Sequence, residues 1–314
     1  MSGQPSWVSP VARVLLATGA LGGGALAYAG LYERNAYRLR RVEVPVLPTG
    51  TAPIRVLHIS DLHLTPHAQA RQRWVSRLAA LEPDLVVNTG DNLSHRDAVG
   101  FVLQSLGRLL DVPGVLVWGS NDYYAPTLKN PLRYLSERGK PPQPGEHKLP
   151  WEDLGRAFSD RGWVDLTHGR TVLEVRGVRF GFRGTDDAHL RLDHYAAVAG
   201  PIDRSAMDVA VGVTHAPYRR VLEAMTADGH DLILAGHTHG GQVCVPVLGA
   251  LVTNCDLDTA RVKGLSTYSA AGQTAWLHVS AGLGTSPFAP VRFACPPEAT
   301  LLTLTAKNVD DPAG

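Results

Sequence analysis

Short apolar runs, each closed by a cluster of small and polar residues, recur along most of this chain. Ile54-Arg-Val-Leu-His-Ile-Ser60 leads into Asp61-Leu62-His63, Asp84-Leu-Val-Val-Asn-Thr89 into Gly90-Asp91-Asn92, and Val115-Leu-Val-Trp118 into Gly119-Ser120-Asn121-Asp122. Runs of this length bounded by Gly, Asp and Asn read as buried strands that end in turns. Helical patterns fill residues 72–81 and 99–110 between them. Strand, polar turn and helix therefore alternate, which predicts a layered α/β fold with polar residues gathered at the carboxyl ends of the strands.

The pattern changes at Tyr123. Residues 123–150 are rich in proline and basic side chains and read as an insertion, either a lid or an unstructured loop. A helix is predicted at 151–160, then a hairpin in which 171–175 and 178–182 flank Arg176-Gly177. Met207 to Val213 is the next buried run and ends in Thr214-His215, with a helix from Tyr218. Asp231-Leu-Ile-Leu-Ala235 then leads into Gly236-His237-Thr238-His239-Gly240. Further strands at 275–279 and 299–305 make the second half a β-rich layer expected to face the first.

Ahead of this domain, Val14 to Tyr32 is an uncharged stretch of about the length that crosses a bilayer as a helix. It reads either as a retained anchor or as a signal peptide cleaved near Ala27-Tyr28-Ala29. Arg34, Arg38, Arg40 and Arg41 follow it closely, and the positive-inside bias then expects a single-pass membrane protein with its domain on the cytoplasmic face. The signal-peptide alternative would export it. The expected division is an anchor with basic flank at 1–41, an entry strand and proline-bearing linker at 42–53, a domain at 54–306 and a tail at 307–314.

Composition narrows the function classes. With 314 residues, 44% hydrophobic and 19% charged, the chain has room for one large α/β domain or two small ones. A formal charge of +1 gives no electrostatic reason to expect nucleic acid as a partner. Cys244, Cys255 and Cys295 show no C-x-x-C spacing, so they suggest neither a disulfide framework nor a cysteine zinc site.

The chemistry lies at the strand ends. Five of them deliver Asp61, His63, Asp91, Asn121, His215, His237 and His239, oxygen and nitrogen donors suited to Zn, Mn or Fe. Each alone has an ordinary reading, Asp61 as a helix cap or Asp91-Asn92 as a simple turn. Their recurrence at successive strand ends argues for a shared metal pocket.

As an ordered set, Asp-x-His, Gly-Asp-Asn, Gly-x-x-Asp, a lone His and Gly-His-x-His resemble the calcineurin-like metallophosphoesterases, especially their bacterial membrane-associated phosphodiesterase branch. The resemblance runs from about Arg55 to Leu304 and includes the late segments Val279-Ser-Ala-Gly-Leu-Gly-Thr285 and Pro290-Val-Arg292. It implies a four-layer α/β/β/α sandwich with two divalent metal ions in a cleft at the strand ends. Asp61, His63 and His239 would then hold one ion and His215 and His237 the other, with Asp91 bridging. The family's second ion also takes an asparagine from a Gly-Asn-His-Asp turn. Here the turn reads Gly119-Ser120-Asn121-Asp122, so either Ser120 or Asn121 serves there, and Asn121 is preferred because a carboxamide oxygen is the better neutral ligand.

The implied reaction is hydrolysis of a phosphate ester or anhydride by a metal-bridging hydroxide, since a metal pair acidifies water and holds phosphoryl oxygens. The family's leaving-group histidine is missing from the turn. His95 is an alternative acid, although it also reads as a solvated loop residue, and weak acid help would favour good leaving groups. Asn92, Tyr123, Lys129 and Arg133 are candidate substrate contacts. The expected partner is a phosphorylated small molecule or lipid, with the membrane reached through the N-terminal helix. A metal-binding scaffold of the same fold with little activity is the alternative.

Overall fold

The computed structural model describes residues 10–127 and 147–307. Lys129 and Arg133 lie outside them. Helix α1 (Pro10–Ala27) opens the described residues, followed by strands β1 (Arg38–Leu47) and β2 (Ile54–Ile59). Helix α2 (Gln69–Ser76), β3 (Leu85–Asn88), α3 (Val99–Leu106), β4 (Gly114–Leu116) and the one-turn α4 (Ser120–Tyr123) come next. After α5 (Trp151–Ser159) come β5 (Val164–Asp165), β6 (Arg170–Val175), β7 (Val178–Gly184), β8 (Val209–Val213), α6 (Arg219–Asp228) and β9 (Leu232–Ala235). The short hairpin β10 (Cys244–Val245) and β11 (Gly249–Ala250) precedes β12 (Gly264–Ala270), β13 (Gln273–Val279) and β14 (Glu298–Ala306).

Two six-stranded sheets form, ordered β1-β14-β2-β3-β4-β5 and β12-β13-β9-β8-β7-β6. Strand periodicity explains how they stack, because alternate side chains leave opposite faces of a strand. On β2, Ile54 and Val56 join a core between the sheets with Val87, Phe180, Val211 and Leu234, whereas Leu57 and Ile59 turn to the other side. That outer side packs on Val75, Val102, Leu154 and Phe158 of α2, α3 and α5. Across the molecule, Ile233 and Leu277 pack on Val221, Leu222 and Met225 of α6. The result is an α/β/β/α sandwich. Strands buried on both faces explain the continuous apolar runs of the sequence, and each fully buried Val, Leu or Ile contributes about 1.5–3 kcal/mol.

Two strands differ from expectation. β14 returns to the first sheet, between β1 and β2, instead of extending the second layer. Periodicity shows that a run is a strand but not which sheet takes it. β1 begins at Arg38, so Arg38, Arg40 and Arg41, which follow the apolar stretch, form the exposed start of a strand. Its first half lies along an exposed sheet edge, where charged side chains are the ordinary choice and no apolar run marks the element.

The stretch Leu15–Asn35 is long and apolar enough to cross a membrane, and an 18-residue part of it has mean hydropathy 1.3 and is 6% buried. It continues α1 through a π-helical turn, Tyr28–Tyr32.

Candidate metal centre

Parallel pairing places the donors together. β2 runs parallel to β3, and β8 to β9, so the loops after these strands leave the two sheets on a common edge. Asp61 N–H donates to Gly90 O at 2.8 Å, His63 N–H to Asp91 O at 2.9 Å, and Gly236 N–H to His215 O at 2.8 Å, lacing the loops together. Asp61, His63, Asp91, His237 and His239 all have left-handed backbone, with φ of 53°, 40°, 57°, 68° and 50°. Such conformations cost of order 1–3 kcal/mol each outside glycine and persist where surrounding bonds over-determine them. Gly119 supplies clearance: a Cβ there would lie 2.3 Å from Asp91 Oδ1 and 2.6 Å from His215 Cε1.

Two donor groups result. Asp61, His63 and His239 form one, and Asp61, Asp91 and His215 the other, the ligand atoms of each within 4.8 Å of one another. His63 Nε2 faces His239 Nε2 at 3.3 Å, and His215 Nε2 faces His237 Nδ1 at 3.2 Å. Asp91 Oδ2 stands between the groups, 3.5 Å from His63 Nε2 and 3.6 Å from His215 Nε2. Nδ1–H of His215 donates to Thr89 O at 2.6 Å, which leaves Nε2 as the ring nitrogen facing Asp91.

The electrostatics call for a cation. Burial drives the basicity of His63, His237 and His239 well below that of a free imidazole, so these rings are neutral donors. Burial also disfavours charge on His215, but Asp91, Asp187 and Asp61 outweigh it and lift its pKa to about 9. Asp61 is raised by burial and by Asp91. Its Oδ1, and Nε2 of His237, have no hydrogen-bond partner among the described residues. Ring nitrogens facing one another at 3.2–3.3 Å, a buried orphan carboxylate oxygen and the three neutral imidazoles fit divalent ions.

Sequence comparison agrees with this geometry. The profile of calcineurin-like phosphoesterases matches residues 54–241, over half of the chain. The chain belongs to this family. Among relatives, it is 25% identical over 282 residues to the phosphodiesterase YaeI of Escherichia coli, covering 87% of this chain and 90% of that one. It is 26% identical over 257 residues to the Bacillus subtilis protein YpbG, covering 81% and 82%. A zebrafish transmembrane protein with a metallophosphoesterase domain is 27% identical over 219 residues, covering 68% of this chain but 47% of its own length. As a calcineurin-like phosphoesterase, the chain is a metal-dependent phosphohydrolase.

Of the two turn residues, Asn121 is the one whose side chain hydrogen-bonds to Asp91. Its Nδ2 donates to Asp91 Oδ2 at 2.7 Å, and Ser120 Oγ lies behind it, 3.4 Å from that Nδ2. Asn92 is buried beside them, its oxygen accepting from Asn88 Nδ2 at 2.7 Å while its own Nδ2 has no partner among the described residues. Tyr123 tethers the start of the insertion: its hydroxyl donates to Asp186 at 2.6 Å and its ring packs on Trp151. His95 is a half-exposed loop residue beside Asp97.

Three residues of this phosphoesterase were not singled out from the sequence as site residues. Buried Asp122 accepts N–H bonds from Asp91, Asn92, Leu93 and Gly119, at 2.7, 2.7, 3.2 and 3.0 Å, and so fixes the Asp91 turn. Buried Arg292 donates to His239 O, Ala281 O and Gly284 O at 3.1, 2.7 and 2.7 Å, holding the His239 turn. His189 places its ring 4.3 Å from that of His237, with Nδ1 3.0 Å from the Tyr218 hydroxyl. The Gly-x-x-Asp spacing and the Pro-Val-Arg segment pointed to the first two. No local pattern marks His189.

Proposed function

We propose that this chain hydrolyses a phosphodiester or pyrophosphate bond at a two-metal centre. Asp61, His63 and His239 would hold one ion, and His215, His237 and Asn121 the other, with Asp91 shared. The observation that carries this reading is Asp91 Oδ2 lying 3.5 Å from His63 Nε2 and 3.6 Å from His215 Nε2. Imidazole with carboxylate and carboxamide oxygen suits Mn, Fe or Zn. Bound there, such ions would supply Lewis acidity toward water and toward the phosphoryl group.

The chain's own residues orient that chemistry. Asn121 fixes the plane of the Asp91 carboxylate, Thr89 sets the His215 tautomer, and Arg292 holds the His239 turn. Asn92 Nδ2 offers a donor to a phosphoryl oxygen. We assign residues 54–306, with β1 completing their first sheet, to the catalytic unit. We assign α1 to a single-pass anchor with the catalytic unit on the cytoplasmic face, acting on a lipid-linked or small-molecule phosphate.

Full-length protein loaded with manganese is expected to hydrolyse bis-p-nitrophenyl phosphate, with turnover abolished by EDTA and by Asp91→Ala. Tight metal binding without turnover on a broad panel of phosphodiesters and pyrophosphates would overturn the reading.

A further inference from the structure

The apolar surface of α1 does not end where the helix meets the folded unit. The rings of Tyr28 and Tyr32 lie 5.4 Å apart, tilted by 34°, at the end of the apolar stretch, the position where amphipathic rings mark a membrane–water interface. The Tyr28 ring then meets Phe293 edge-on at 6.1 Å. The joint is fixed: the buried Glu33 carboxylate accepts the N–H groups of Ala294 and Cys295 at 3.0 and 2.6 Å, and Arg292 N–H donates to Ala29 O at 3.1 Å.

Phe293 is also the strand neighbour of the β10–β11 hairpin. Val243 bridges to it, and Cys244 N–H donates to Phe293 O at 2.8 Å. Beyond that contact the hairpin projects Pro246-Val247-Leu248, with Val247 and Leu248 among the most exposed apolar side chains described. Tight hairpin tips ordinarily carry Gly, Asn or Asp, but Val247 sits at φ 72°, where a β-branched side chain is disfavoured. Leu251 and Phe288 are exposed beside it, and Gln242 Nε2 ties the hairpin to the Phe288 loop through Ala289 O at 2.8 Å. At about 3.4 Å per residue, the tip lies on the order of 10 Å from Phe293, close enough to share the interface that Tyr28 marks. Exposed Arg38 and Arg41 add positive charge suited to anionic headgroups.

We propose that the β10–β11 hairpin tip, with Leu251 and Phe288, inserts into the lipid bilayer beside the emerging α1 and holds the candidate metal centre at the membrane surface. The hairpin is well placed for this, because Ala250 packs on Gly241 so closely that a Cβ on that glycine would lie 2.4 Å from it. Gly241 is two residues beyond His239. The proposal rests on the reading of α1 as a membrane anchor. It commits to lipid, and not to a second copy of the chain, because the apolar surface is continuous with that helix.

The test uses full-length protein reconstituted into phosphatidylcholine–phosphatidylglycerol vesicles, with a photocrosslinking residue introduced singly as Leu26→p-benzoylphenylalanine, Leu248→p-benzoylphenylalanine or Val172→p-benzoylphenylalanine. Positions 26 and 248 are expected to crosslink to lipid, with yields at least about tenfold above position 172 on edge strand β6. Lipid adducts at 26 with none at 248, or adducts at 248 to a second protein chain only, would overturn the hairpin proposal and leave the anchor standing. No lipid adduct at 26 would overturn the anchor and the proposal together.

Discussion

Asn121 grips both oxygens of Asp91, its backbone N–H donating to Oδ1 and its carboxamide Nδ2 to Oδ2, each at 2.7 Å. Hydrogen bonds to a charged acceptor contribute about 1.5–3 kcal/mol, and partners that orient metal ligands typically matter 10–100-fold in affinity or activity. Asn121→Ala is therefore expected to lower kcat/KM by roughly 10–100-fold. Ser120→Ala, whose hydroxyl reaches only Asn121 at 3.4 Å, should stay within about threefold. Steady-state kinetics of the two variants check this, and the reverse order would assign the position to Ser120.

Gly119 has no room for a side chain against Asp91 and His215. Gly119→Ala should cost more than about 100-fold in turnover, because small displacements of reacting groups are expensive. The packed core lies elsewhere, so circular dichroism should still report a folded chain. Wild-type activity in this variant would place the reaction away from Asp91.

Proton competition sets the pH dependence of metal binding. His215, raised to about 9, is protonated at neutral pH without metal and must release that proton to become a ligand. Affinity should thus rise by up to about tenfold per pH unit from 7 to 9 and then level off. Below that range Asp61, also raised, adds a second competing proton. Calorimetry of manganese binding in buffers of different ionisation enthalpy should show proton release at pH 7, and an affinity independent of pH would contradict the charge balance.

With Asn121 standing where the family resemblance implies a leaving-group histidine, chemistry should depend steeply on the leaving group. Acid help of that kind contributes about 10²–10⁴-fold. Rates on aryl phosphodiesters of graded leaving-group pKa should fall sharply as that pKa rises. A flat dependence with chemistry rate-limiting would mean that another group, such as His189, delivers the proton.

The core strands and the donor set were legible because both follow from local pattern. Buried strands give apolar runs, and their carboxyl ends carry Asp61, His63, Asp91, His215, His237 and His239 at recognisable spacing. What escaped depends on tertiary contact. β14 joins the first sheet through pairing with β1 and β2. The Asp122 carboxylate works through backbone N–H groups some thirty residues away in sequence. His189 reaches His237 only because the loop after β7 folds over the end of β9. Which of Ser120 and Asn121 meets Asp91 is a matter of side-chain direction, which no spacing rule encodes.

Anomalous diffraction from crystals of the manganese-loaded protein tests the central claim most directly. The account predicts two peaks roughly 3.5–4 Å apart, one against Asp61, His63 and His239 and the other against His215 and His237, with the Asp91 carboxylate between them. A single peak in an active enzyme, or peaks away from Asp91, would contradict it.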